Sequence, residues 1–279
     1  MKDILEGLST EIKCLDHGLV RLVDVMPRLV PDDQTADYAI VQAARVSYGQ
    51  GTKKLNEDIG LIRYLMRHRH TTPLEMVEFK WHMKMPIFCA RQFIRHRTFS
   101  FNEYSGRYSE IPDIYYTPEE DNVRLQSKTN KQGGSDVAEP KLASQFRNKV
   151  INISRRAYEE YTHLLDDGIS KEQARMLLPV NYYTEWYCKS NLHNLLNFLS
   201  LRCDSHAQQE IRVYGDAMLE LIKPVVPITI EAWQDYHPLR EGMLLTKLEI
   251  DAIKNKSEIE TSNSREKQEW LTKQKILGL

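Results

Sequence analysis

Residues 77–85 restrict the fold of this chain more than any other stretch. Val77, Phe79, Trp81, Met83 and Met85 alternate with Glu78, Lys80, His82 and Lys84, a period of two that describes a half-buried strand. Pro86 follows at once. It suits the first turn of a helix, where its missing N–H costs nothing, and behind it Ile87, Ala90, Phe93 and Ile94 recur at helical spacing as a buried stripe. At about 100° per residue, Arg91, Gln92, Arg95 and His96 share the opposite arc. Beyond Arg97 the apolar period fails, and Gly106 among polar neighbours predicts an irregular loop that folds back over the helix end and places Glu103, Ser105 and Arg107 near Arg95.

Four arginines, a histidine, a glutamine, an asparagine and two serines thus gather between Arg91 and Tyr108 beside one carboxylate, Glu103. Such a set holds an anionic, hydrogen-bond-rich ligand. The affinity is local, because 38 Lys and Arg against 39 Asp and Glu leave a net charge of −1 and no global field for nucleic acid or an anionic membrane. No apolar run reaches the roughly 18 residues a membrane span needs, and Met1–Val20 lacks the apolar core of a signal peptide, so a cytoplasmic protein is expected. Cys14, Cys89, Cys188 and Cys203 lack C-x-x-C spacing, which argues against zinc or a disulfide framework. His68 and His70 have no third ligand nearby in sequence, and no metal is expected.

Residues 1–17 read as a polar N-terminal extension, and Gly18–Met26 alternates as a strand. Helices are expected over Asp37–Val46, over Leu55–Arg69 with Ile59, Ile62, Leu65 and Met66 inward, over Leu142–Leu165, over Ser190–Arg202, and from Ser205 to about Leu221. A further helix over Ser170–Leu178 opens on a Ser170–Gln173 capping box, and Tyr182–Cys188 is strand-like. Gly49–Lys54 lacks the endings of a phosphate loop and reads as a surface loop. Residues 126–140 have no hydrophobic period and read as a mobile surface insertion. Residues 245–279 form a charged tail, a solvated helix or disordered segment.

The order Arg95-His96-Arg97, seven residues, Ser105, then Gly106-Arg107-Tyr108 resembles the signature of the flavin-dependent thymidylate synthases. Three further segments are similar to that family: His70-Thr71-Thr72-Pro73; Arg175 in Ala174-Arg175-x-Leu177-Leu178-Pro179; and Asn191-x-His193 with Asn197-Phe198-Leu199, Leu201-Arg202 and Asp204-Ser205-His206-Ala207-Gln208. The likeness covers about residues 18–244. It implies an α+β fold, an antiparallel sheet with a helical bundle in a single domain, and the reductive methylation of dUMP to dTMP. Methylenetetrahydrofolate would give the carbon, FAD would pass on the hydride, and NADPH would restore the reduced flavin.

On the same resemblance dUMP is held by Gln92, Arg95, Glu103, Ser105, Gly106, Arg107, Arg175 and Arg202. FAD is held by Thr72, Arg95, His96, Arg97, Glu103, Asn191, His193 and Asn197, with His70 as a flavin and folate neighbour. His193 departs from the family, which often has arginine there. The family's sites are shared between subunits of a homotetramer, so the same assembly is expected here. None of the eleven prolines is followed by cysteine, so the Pro-Cys nucleophile of the cysteine-dependent synthases is missing. Ser105 has no base legible beside it and is assigned to binding. Arg202 is the catalytic candidate, a fixed cation that stabilises the N3-deprotonated pyrimidine.

The rival reading is an RNA- or nucleotide-binding module, with Phe93, Phe99, Phe101, Tyr104 and Tyr108 stacking bases between the arginines. Glu103 inside the patch, the near-zero net charge and the second matching segment about 95 residues on argue for the enzyme and against nucleic acid.

Overall fold

The computed structural model describes residues 1–46, 55–128, 133–238 and 242–279, with no side-chain detail for 55–57. In chain order the elements are β1 (Lys2–Asp3), β2 (Glu11–Cys14), β3 (Gly18–Met26), β4 (Leu29–Val30), α1 (Asp37–Arg45), α2 (Leu55–Arg67), β5 (Glu78–Pro86), α3 (Ile87–Phe93), β6 (Ser100–Glu103), β7 (Arg124–Gln126), β8 (Gly134–Val137) and α4 (Pro140–Asp166). Then come α5 (Lys171–Ala174), β9 (Tyr183–Asn191), α6 (Leu192–Arg202), α7 (Gln209–Ile222), α8 (Pro227–Tyr236), α9 (Lys247–Asn255) and α10 (Ser264–Leu277). Single 3₁₀ turns include Thr72–Met76 and Arg175–Leu177. The Gly49–Lys54 loop lies outside the described residues.

The sheet that organises the molecule has the order β2-β3-β5-β9-β6, antiparallel at every joint. The period-two reading of residues 77–85 holds. Phe79, Trp81, Met83 and Met85 are buried, and Lys80, His82 and Lys84 lie on the other face. Trp186 and Cys188 of β9 and Val20 and Leu22 of β3 join them beneath the helices. Burial on one face only is what an antiparallel sheet allows. The open face carries its own ladder: His82 stacks on Tyr187 at 4.8 Å, and its Nε2 meets Glu185 at 2.5 Å.

Two junctions set the geometry of everything below. β5 passes into α3 with no intervening residue, and β9 passes into α6 the same way. The strands pair end to end, Glu78 opposite Asn191 and Pro86 opposite Tyr183, so the two helices start from opposite ends of one nine-residue ladder. Phe93 of α3 then packs on Trp186 in the middle of β9 and on Phe198 of α6, with ring centroids 5.4 and 4.3 Å apart. The helices meet over the middle of the sheet.

Several expectations need correction. Residues 1–17 are not an extension: β2 is an edge of the main sheet, and Ile4, Leu5 and Cys14 belong to the main core. Gly18 explains the tight return, because a Cβ there would fall 2.1 Å from the Tyr214 hydroxyl and 2.6 Å from the Cys14 carbonyl. Ile94 is 39% exposed, since α3 ends at Phe93, and Cys89 fills the stripe instead. Ile59 is likewise exposed. Residues 100–103 are a strand rather than loop, because they complete the free edge of β9. Among the described residues of 126–140, β8 (Gly134–Val137) pairs with β7, which ends at Gln126, and Pro140 already begins α4. Ser170 makes no side-chain cap, and α7 starts after Gln208 instead of Ser205.

The tail is ordered into α9 and α10 around a small core of its own, formed by Trp270, Ala252 and Ile259. Alternating charge hid this arrangement, since a three-residue core leaves almost no hydrophobic period.

Candidate functional site

The site begins where α3 and α6 converge. Arg202, in the last turn of α6, donates from Nε to Nε2 of His96 at 3.1 Å and from a terminal nitrogen to the Gln92 carbonyl at 3.4 Å. Phe198 lies edge-on to the His96 ring at 4.8 Å. Burial, and then the Arg202 charge, push the imidazole down to about 4, so it is neutral at pH 7 and has a lone pair at Nε2 for the guanidinium. Burial also lowers Arg202 from its ordinary value, but a guanidinium remains charged. The Gln92 amide donates to Gln208 Oε1. Arg91, Arg95 and Arg97 are exposed, and among the described residues none has a carboxylate partner.

The second group lies on the chain leaving β6. Glu103 sits opposite Trp186 in the ladder, and its Oε1 accepts from Thr184 Oγ1 at 2.6 Å. The Ser105 carbonyl then accepts from the N–H groups of Tyr108 and Ser109, both at 3.1 Å, and Ser105 Oγ accepts from the Arg107 N–H at 3.3 Å. Gly106 is buried within this turn. A Cβ there would approach Ile111 Cδ1 to 2.7 Å and Arg175 Cδ to 3.3 Å, so the missing side chain lets the Arg175 stem lie against the loop. Arg107 Nε meets the Glu172 carboxylate at 3.3 Å, and Arg175 Nε donates to the Glu172 carbonyl at 3.4 Å. Arg107 and Glu172 are both more than half exposed. Such a pair contributes at most about 1 kcal/mol and yields readily to a phosphate.

The remaining predicted residues stand at the other end of α6. Asn191 is its N-cap, with Oδ1 accepting from Asn194 N at 2.9 Å. His193 and Asn197 line a pocket of about 500 Å³ with Arg67 and Arg69 at the rim and Leu196 and Trp233 inside. Thr71 lines it, whereas Thr72 is exposed on the 3₁₀ turn. His70 is exposed, its ring 5.7 Å from Tyr64 and 6.3 Å from His68. Nine residues at about 1.5 Å each separate His193 from Arg202 by roughly 14 Å. The structure therefore joins Gln92, His96 and Arg202 in one contact group and Gly106, Arg107 and Arg175 in another, and it places His193 at the far end of α6 from Arg202 with Asn197 in the middle of that helix. Among the described residues no group of three or more His, Cys, Asp or Glu is placed to hold a metal.

Sequence reasoning missed the partners. Thr184, which fixes Glu103, is one residue in an aromatic strand and carries no signal. Glu172 lies three residues before Arg175, and its convergence with Arg107 needs the fold. Gln208 stands in the quoted Asp204–Gln208 segment but gives no hint there of reaching Gln92. It also lines the larger cleft, about 820 Å³, between the start of α7, the β7–β8 hairpin and α4.

The family profile described as thymidylate synthase complementing protein (Thy1) matches residues 28–228. A flavin-dependent thymidylate synthase of Dictyostelium discoideum is 54% identical over 276 residues, covering 99% of this chain and 90% of its own length. The enzyme of the same name from Rickettsia bellii is 48% identical, covering 98% and 95%. Among solved structures, a UMP/dUMP methylase, PolB from Streptomyces cacaoi, with 5-Br dUMP bound, superposes with a TM-score of 0.70 at 34% identity over 80% of this chain and 97% of its own. With the two motif segments in direct contact through Arg202 and His96, and with relatives matching nearly end to end, this chain belongs to the thymidylate synthase complementing protein family, the flavin-dependent thymidylate synthases.

Proposed function

We propose that the protein methylates dUMP reductively to dTMP, taking the one-carbon unit from methylenetetrahydrofolate and the hydride through FAD, with NADPH as the source of electrons. The observation that carries this reading is the Arg202–His96 contact at 3.1 Å, which unites two family segments 106 residues apart in sequence.

The donor set fits a flavin dinucleotide. Arg95 and Arg97 offer uncompensated positive charge to its phosphates, and the pocket of His193 and Asn197 combines apolar walls with a basic rim, as a planar ring joined to a pyrophosphate requires. Thr72, His96, Glu103 and Asn191 complete the proposed FAD set, and His70 stands toward flavin and folate. Asn191 spends its side-chain oxygen on the helix cap and keeps its amide N–H groups for a ligand. Once bound, the flavin supplies two-electron hydride chemistry.

The protein's own residues then act on the nucleotide. Arg107, Arg175 and the backbone of Ser105 and Gly106 receive the phosphate. Gln92, Arg95 and Glu103 orient the sugar and base. Arg202, half-buried and held by two acceptors, keeps a fixed positive charge at the pyrimidine edge, where it stabilises the N3-deprotonated base without reorganising. Ser105 Oγ accepts from a backbone N–H and serves binding.

The wide separation of the two ends of α6 supports a site completed between subunits. α4 exposes Leu142, Phe146 and Ile153 along one side, and Met176, Leu177 and Val180 are exposed nearby in sequence. These apolar residues suit the interfaces of a homotetramer. No helix among the described residues is long and apolar enough to cross a membrane, and the compartment we propose is the cytoplasm.

The deciding experiment is a visible absorption spectrum of the purified protein with added FAD and then dUMP, followed by assay of dTMP. A bound-flavin spectrum perturbed by dUMP, with dTMP formed, is expected. Protein that takes up no FAD would refute the reading and return the basic-aromatic stretch to the RNA-binding alternative. Light scattering on the same sample tests the tetramer.

A further inference from the structure

The His193 and Asn197 pocket has one wall that comes from beyond the family match, which ends at residue 228. Trp233 and Tyr236 reach it from α8, and Met243 and Leu244 close it from the segment before α9. Two contacts fix that last segment. Gly242 lies so close to the end of α8 that a Cβ would fall 2.9 Å from the Tyr236 carbonyl carbon and 3.1 Å from the His237 oxygen. Lys273 of α10 donates to the Leu244 carbonyl at 2.9 Å.

The same ammonium donates to both oxygens of Glu249, at 2.7 and 3.0 Å, which uses all three of its protons. Glu249 is buried, and it also accepts from Thr246 N at 2.7 Å in a full capping box at the start of α9. A buried ion pair is poor evidence for stability and better evidence for a specified geometry. Here one of the three lysine bonds leaves the helical hairpin and ends on the backbone of a residue that lines the pocket. The hairpin's own core, around Trp270, is separate from the main core.

We propose that the α9–α10 hairpin is a bracket that holds Met243 and Leu244 as the apolar wall of this pocket, with Lys273 as its positioning residue. The proposal rests on the reading that the pocket receives part of the flavin. The ligand it grips is the planar aromatic portion, because Met243, Leu244, Leu196 and Trp233 offer apolar surface while Arg67 and Arg69 stay at the rim. The nucleotide end of α6 lies roughly 14 Å away and is outside the bracket's reach.

The test compares full-length wild type with Lys273→Met, Lys273→Arg and Gly242→Val, reading FAD affinity and dissociation rate by flavin fluorescence and dUMP affinity at saturating FAD. Lys273→Met is expected to weaken FAD about tenfold, mainly through faster dissociation, with dUMP affinity changed less than twofold. Lys273→Arg retains the charge and recovers most of the loss. Gly242→Val displaces the same wall without touching the ion pair and weakens FAD similarly. Equal FAD affinity in Lys273→Met and wild type overturns the bracket, whatever Gly242→Val does, and so does parallel loss of FAD and dUMP, which marks general loosening. Wild type that binds no FAD instead removes the flavin reading of the pocket itself.

Discussion

His96 is the residue on which the chemistry of the site can be tested most sharply. Its imidazole is held down to about 4 by burial and by Arg202. At pH 7 about one molecule in a thousand carries the imidazolium, against about one in four for an unperturbed ring. The folded-state value lies below the ordinary 6.5, so the stabilisation from the neutral ring is whole above pH 6.5 and is lost as pH falls toward 4. Protonation would put two positive charges at the 3.1 Å contact and remove the only acceptor Nε2 offers.

His96→Ala performs the same deletion at neutral pH and leaves a half-buried guanidinium N–H without its partner. The cost is about 1–3 kcal/mol, or about 5- to 150-fold in whatever depends on Arg202 placement. Nitrogen-detected NMR of the ring gives the titration, and dTMP turnover gives the functional loss. Titration of His96 near 6.5 in the ligand-free protein would refute the electrostatic reasoning. So would near-normal turnover of His96→Ala.

Three other substitutions probe separate parts of the structure. Gly106→Ala inserts a carbon 2.7 Å from Ile111 and 3.3 Å from the Arg175 stem; displacement of Arg175 should weaken dUMP by about tenfold or more while FAD affinity stays constant, as calorimetry can show. Ser105→Ala removes an acceptor for a backbone N–H and no nucleophile, so turnover should persist at raised dUMP KM, and complete loss of kcat would return Ser105 to the chemistry. Asp37 is buried and accepts from Ile228 N, Thr229 N and Thr229 Oγ1 at the start of α8; Asp37→Ala should cost at least about 2 kcal/mol, a fall in Tm of roughly 4–8 °C, measurable by calorimetry.

The strand of residues 77–85 was legible because alternation over nine residues has no competing explanation, and the helix after it because Pro86 and the apolar spacing agree. What the sequence concealed were the short pieces. β2 and β6 have four residues each, too few for a period, and they exist because neighbouring strands offer free edges. The candidate site residues came from the motif alone, while their division into contact groups needed the fold. Arg107 and Arg175 meet at Glu172 only because α5 is brought beside the loop after β6. Thr184 acts through a ladder register that no local pattern encodes.

The two seamless junctions constrain how this chain can change length. α3 and α6 extend about 10 and 16 Å at 1.5 Å per residue, together close to the roughly 30 Å of the nine-residue ladder from whose opposite ends they start. No loop lies at either junction to absorb an extra residue. One residue inserted into β5 or β9 would invert the faces beyond it and carry the following helix with them, taking His96 or Arg202 out of reach. An inserted residue within 78–93 or 183–202 is therefore expected to disturb the site, whereas a change of side chain there leaves the count of the ladder and its helices intact.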